Sequence, residues 1–232
     1  MVSERRPYAG GLGSWLRLLG PATTPHHAES AAVQQRRRAV AVATSLVGAL
    51  LLGLTLTTSV GSPRFYPLAL ALAVTWSLGA VLSGPLHLGH WDGRRHVLPF
   101  AVVGAVAFGG FAAAALVVRQ VPTMHRLVTE VIGRADTGSL TLVLTLALAN
   151  GLAEELFFRG ALYSAFARHH PALWSTVAYV AVTAASGNVI LVLAATVMGT
   201  LFALERRATR GVLAPATTHL VWSTLMILFL PR

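Results

Sequence analysis

The chain has 232 residues, of which 55% are hydrophobic and 11% charged, and its mean hydropathy is +0.66. A soluble domain carries about a quarter charged residues, so this composition excludes an ordinary soluble globular protein and indicates a polytopic membrane protein. The formal net charge is +10 and all 18 basic residues are arginine. They sit mostly in short connections between apolar runs, which points to membrane topology and contact with lipid headgroups, not to nucleic acid.

Residues 1–38 are polar and end on "QQRRR", and they read as a cytoplasmic segment. They lack the early apolar core and cleavage site of a signal peptide, so the first apolar run is expected to stay as an anchor. A transmembrane domain then fills 39–232. Its predicted spans are 39–60, 66–84, 98–118, 138–160, 172–187, 189–205 and 212–230, about seven in all. The fourth can run on to about 168, and "SGN" at 186–188 is the sole turn signal between the fifth and sixth. Between the second and third spans, "PLHLGHWDGRRH" holds His87, His90, Asp92 and His96. It reads as an interface loop anchored by Trp91, with a surface metal as the other reading. Residues 104–115 are rich in small side chains, suited to close helix packing. Residues 120–137 are mildly amphipathic and are expected at the membrane interface.

The expected fold is therefore all-α, a polytopic transmembrane bundle. Placing the N-terminus in the cytoplasm puts thirteen of the 18 arginines on the cytoplasmic side and five on the other, which favours N-in and C-out. The complete absence of lysine suggests a GC-rich genome, so the expected location is a bacterial plasma membrane.

One stretch breaks the apolar pattern. "AEELFFRG", residues 153–160, carries Glu154, Glu155 and Arg159 between "LTLVLTLALANGL" and "ALYSAFA". Charges at membrane depth are costly, and by default they mark a functional site. Neighbouring residues on a helix point about 100° apart, so the two glutamates cannot share a direction. Arg159 lies four residues after Glu155, within reach of an i,i+4 ion pair. That pairing leaves Glu154 facing the bundle interior, where a carboxylate can serve as a general base for water. The plainer alternative is a helix-end pair that reaches the headgroups. His219, in the last apolar run, is the natural partner for a membrane glutamate, as a ligand, a proton relay or a water contact. With no cysteine in the chain, cysteine–zinc sites, disulfides and a cysteine nucleophile are excluded.

"EELFFRG" resembles the first motif of the CPBP intramembrane proteases, the family that includes the type II CAAX prenyl endopeptidases. "VMGTLFALERRATRGVLAPATTHLVWS" resembles the family's last helix pair, with Gly199, Pro215 and His219 at the matching positions. The resemblance covers about residues 138–230. It implies a protease core in that segment and a peptide or membrane-protein substrate. It also implies Glu154 as the water-activating carboxylate and Glu155 and Arg159 as its support. His219 would be a metal ligand or an oxyanion donor.

Two positions depart from the pattern. The family's second motif is Phe, three residues, His. Here "VTAASGN" offers Ser186, or Asn188 if the register slips by two. Four residues after His219 stands Ser223 instead of asparagine. Glu154 and His219 would supply two good zinc ligands, whereas a catalytic zinc site takes three protein ligands. The readings are thus an endopeptidase driven by a glutamate-activated water, with or without a divalent metal such as zinc, or a silent relative acting as a membrane scaffold. A small transporter ranks below both, because the chain shows no internal repeat.

Overall fold

The computed structural model describes residues 30–89, 94–136 and 139–230. These residues form eight helices and are all-α. The helices are α1 (Ala31–Thr57), α2 (Phe65–Ser83), α3 (Arg94–Val118), α4 (Pro122–Asp136), α5 (Leu140–Ala165), α6 (Pro171–Ala184), α7 (Val189–Thr209) and α8 (Leu213–Phe229). Five of them, α1, α2, α3 from Val97, α5 and α7, are long and apolar enough to cross a membrane. The other two apolar helices, α6 and α8, have 14 and 17 residues, about 21 and 26 Å. A hydrocarbon core is ~30 Å thick, so they are short for an unaided crossing. All seven predicted apolar runs are helices, and α4 is the amphipathic segment. Most of the polar N-terminal segment, and His90, Asp92 and Trp91 of the histidine-rich loop, lie outside the described residues.

The helices are inside out relative to a water-soluble bundle. On α1, Val42, Leu46, Leu50 and Leu54 recur every four residues and are exposed. The opposite face buries Ala41, Thr44, Gly48 and Thr55. Large apolar side chains thus face the surroundings and small ones face the neighbouring helix, the arrangement expected where the solvent is lipid. α1 packs on α2, α6 on α7, and α8 on α3. The C-terminal half of α5 lies among α1, α2, α6, α7 and α8. That half is unusual. From Glu155 to Leu162 the backbone is a π-helix, with i→i+5 bonds, before α-helix resumes at Tyr163. The fourth run, predicted over 138–160 and able to run on to about 168, ends between those limits at Ala165.

The apolar core surrounds this π segment. Trp76 of α2 stacks on Phe157 at 5.0 Å and meets Phe158 at 5.1 Å, while Phe157 and Phe158 meet edge to face at 5.0 Å. All three are essentially inaccessible. The indole lies across α1 at Gly48, where a Cβ would collide with its ring.

Three arginines counted by the topology reading as loop charges are structural. Arg37 is fully buried and donates from Nη2 to the Pro85 carbonyl at 3.2 Å and from Nη1 to Ser83 Oγ at 3.4 Å. It ties the start of α1 to the end of α2. Arg206 is buried under Tyr163, with its guanidinium 4.8 Å from the ring centre, and Nε donates to the Arg159 carbonyl at 2.8 Å. Arg159 is itself fully buried, so its assignment to the cytoplasmic face does not hold.

Gly48→Ala should therefore overpack the α1–α2 interface and destabilise the protein by about 1–3 kcal/mol. Thermal unfolding in detergent should show a lower midpoint than wild type. An unchanged midpoint would mean that Trp76 does not rest against α1 as described.

Candidate active site

The charged stretch divides as its helical positions require. Glu155 and Arg159 point into the core and are fully buried. Glu154, expected from the sequence to face the bundle interior, points in another direction and is half-buried, because the Glu155–Arg159 pair itself takes the interior position. The headgroup-facing alternative for the charge pair is corrected by this burial.

Arg159 is the centre of the arrangement. Nη1 donates to Glu155 Oε1 at 3.4 Å, and Nη2 donates to the Gly199 carbonyl of α7 at 3.0 Å. Its guanidinium lies 4.6 Å from the Tyr179 ring centre, 5.2 Å from Phe202 and 5.9 Å from Phe158. Aromatic faces attract a cation most where water is excluded. Gly199 makes the approach feasible, since a Cβ there would lie 3.0 Å from Tyr179 Cδ1 and 3.4 Å from Arg159 Nη2.

His219 completes the cluster from α8. Its Nδ1 lies 3.0 Å from Glu155 Oε1, the same oxygen that Arg159 contacts. With Glu155 ionised, Nδ1–H is the donor. The imidazole stacks on Phe202 at 4.7 Å with the planes 20° apart. Its Nε2 edge faces Gly151 of α5, where a Cβ would stand 3.4 Å from Nε2. The histidine therefore touches Glu155, and no hydrogen bond joins it to Glu154. Pro215, in the first turn of α8, is fully buried, at a position where a missing backbone N–H costs no helix bond.

Glu154 has one side-chain partner. Tyr179 Oη of α6 donates to Glu154 Oε2 at 3.0 Å. Among the described residues no cation is ion-paired with Glu154.

Ser186 and Asn188 do not join this cluster. Ser186 Oγ accepts from the Asn188 N–H at 3.2 Å. Asn188 Oδ1 caps α7 by accepting from Ile190 N–H at 2.9 Å and Leu191 N–H at 3.3 Å, and its Nδ2 donates to the Leu127 carbonyl at 3.0 Å. Their polar atoms are engaged in the α6–α7 turn and in holding α4. The reason is depth. With α5 ending at Ala165, Glu154 lies about 16 Å from that end, and Ser186 about 22 Å from Pro171. Tyr179 is about 12 Å from Pro171, and its long ring closes the difference. Counted from Tyr179 as the aromatic of the second motif, the histidine position becomes Thr183, whose hydroxyl bonds back to the Tyr179 carbonyl at 2.8 Å. Ser223 is half-buried on α8.

Two further residues near the site escape the sequence reading. Glu205 of α7 is buried, and its Oε1 accepts from Thr218 Oγ at 2.7 Å. The Thr218 hydroxyl is also 3.1 Å from the Phe100 carbonyl, so these groups join α7, α8 and α3. Tyr179 is the other. A tyrosine standing alone among alanines and valines in "VAYVAVTAA" was the available signal, and Glu205 within "ALERR" reads as an ordinary helix-end charge.

The donor set does not fit a zinc ion. Among the described residues no group of three His, Cys, Asp or Glu side chains is arranged to hold a metal. One oxygen of Glu155 is already engaged by both Arg159 and His219. A catalytic zinc takes three protein ligands, so no step is routed through a metal here.

A buried Glu–Arg–His cluster with a second glutamate beside it thus lies inside an apolar helical bundle. Residues 136–225 match the family described as Type II CAAX prenyl endopeptidase Rce1-like, and this segment is a domain of that family. No curated protein and no solved structure matches the chain.

Removing one member of a buried ion pair strands the other, at a cost of about 3–5 kcal/mol. Arg159→Met should show that loss in denaturation experiments. Adding Glu155→Gln should recover part of it, giving a coupling energy of about 0.5–3 kcal/mol in a double-mutant cycle. Strict additivity would contradict the pairing.

Proposed function

We propose that the protein is an intramembrane endopeptidase that hydrolyses a peptide bond of a membrane-associated substrate with water activated by Glu154. The bundle crosses the membrane seven times, N-terminus in the cytoplasm. The observation that carries the catalytic reading is the division of labour between the glutamates: Glu155 is sealed in the core by Arg159 and His219, while Glu154 is half-buried and has no cationic partner among the described residues.

Glu154 accepts a proton from water as the water oxygen attacks the peptide carbonyl carbon. It returns that proton to the leaving nitrogen as the C–N bond breaks, leaving a new carboxylic acid and a new amine, which then exchange a proton to become carboxylate and ammonium. His219 is held by Nδ1 on Glu155 and by its stack on Phe202. Nε2 is the ring nitrogen left for the reaction. With the ring neutral it accepts from the attacking water; with the ring already protonated from solvent before the reaction, Nε2–H donates a hydrogen bond to the carbonyl oxyanion and keeps its proton. Gly151 presents no side chain to that edge. Arg159 and Glu155 fix the orientation of His219 without touching substrate. Lipid and a peptide or membrane-protein substrate are the partners this reading requires.

Purified protein in detergent should cleave members of a broad peptide library. Glu154→Gln should lower kcat by about 10²–10⁴-fold and leave thermal unfolding near wild type. His219→Ala should lower kcat by about 10²–10³-fold. Absence of cleavage by wild type would favour the silent scaffold. The topology has its own test, made clean by the absence of cysteine. An impermeant thiol reagent should label Ala185→Cys in intact cells and Arg168→Cys only after permeabilisation. The reverse pattern would invert the bundle.

A further inference from the structure

The residue facing Glu154 is a tyrosine, and its surroundings show that it is held in place from several sides. Its hydroxyl is 3.0 Å from Glu154 Oε2. Its ring lies under the Arg159 guanidinium at 4.6 Å and meets Phe158 edge to face at 4.9 Å. Gly199 closes a further side, with room for no Cβ beyond ordinary contact. The same guanidinium that fixes Glu155, and through it His219, therefore also fixes the ring that reaches Glu154.

A carboxylate with one oxygen free must keep that oxygen on the water through the reaction. Its terminal torsion is soft, and small misplacements of a reacting group are costly. A single donor on Oε2 supplies the missing restraint and leaves Oε1 for the water. The chain has no histidine between His170 and His219 to provide a donor from α6. Thr183 turns back to its own helix, and Ser186 serves the α6–α7 turn.

We propose that Tyr179 is a positioning residue of the site, whose hydroxyl holds Glu154 by Oε2 and keeps Oε1 on the attacking water. The inference rests on the endopeptidase reading above. It makes Tyr179 the α6 contribution to a site otherwise built from α5, α7 and α8.

Tyr179→Phe removes one oxygen and keeps the ring under Arg159, so the fold should survive. The expected result is a fall in kcat of about 10–10²-fold with KM and the thermal midpoint unchanged. Tyr179→Ala, which also strips the ring from Arg159, should lower the midpoint as well. An activity-independent readout uses dicyclohexylcarbodiimide, an apolar reagent that modifies protonated carboxyl groups. Loss of a donor that favours the carboxylate should speed its labelling of Glu154, located by mass spectrometry, by about 5-fold in Tyr179→Phe. If wild type cleaves, and Tyr179→Phe keeps its kcat and labelling rate, the positioning role is overturned while the endopeptidase stands. A Tyr179→Phe midpoint that falls as far as that of Tyr179→Ala would make the hydroxyl a folding contact and overturn the role too. A wild type that cleaves nothing overturns both.

Discussion

A guanidinium has to be kept charged in the middle of an apolar bundle, and much of the architecture follows from how that is done. Arg159 is fully buried, and its charge is met by Glu155 one turn away, by the Gly199 carbonyl on α7, and by the faces of Tyr179, Phe202 and Phe158. These groups come from three helices, and a fourth joins through His219 on Glu155. A buried ion pair is a poor source of net stability, because desolvation offsets most of the attraction. Its use here is geometric: few arrangements of α5, α6, α7 and α8 satisfy all of those contacts at once. The π segment spans the same residues, Glu155 to Leu162. Such segments recur at functional sites.

The same constraint separates the two glutamates into different roles. Glu155 is committed on one oxygen to both Arg159 and His219. Glu154, one residue earlier, falls outside that commitment and accepts a hydrogen bond from the neutral Tyr179 hydroxyl. Adjacent residues with identical side chains thus occupy unlike environments. One anchors the histidine, and the other is left with an oxygen for chemistry. On the proposed reading, Glu155 and Arg159 are the rigid support behind the carboxylate that reacts.

Much of this was legible in the chain. The apolar runs marked seven of the helices, because the span length a bilayer demands is a coarse and strong signal. However, α1 begins at Ala31, eight residues before the predicted 39, since its first turns carry polar and arginine residues. The 100° step between neighbours separated Glu154 from Glu155, and the i,i+4 spacing paired Glu155 with Arg159. The fold's interior was less legible. Nothing in the apolar pattern distinguishes a π-helical turn from an α-helical one, so the irregular turn in α5 was not foreseen, and nothing in it showed that Ser186 would serve the α6–α7 turn. Arg37 and Arg206 carried the same letter as the arginines at the lipid surface, and only packing shows that they tie helices together. Glu205 was hidden similarly, since Thr218, which donates to its Oε1, lies thirteen residues away on another helix.

The central claim is that Glu154 acts on water and does not itself attack the substrate. Single-turnover cleavage in water enriched in heavy oxygen tests it directly. Attack by activated water puts the heavy isotope into the new carboxyl terminus in the first turnover. Attack by the Glu154 carboxylate would form a mixed anhydride, and its hydrolysis at the glutamyl carbonyl would transfer one of the enzyme's own light oxygens to that product. Heavy oxygen is expected in the first-turnover product, and a light product would show that the carboxylate itself attacks.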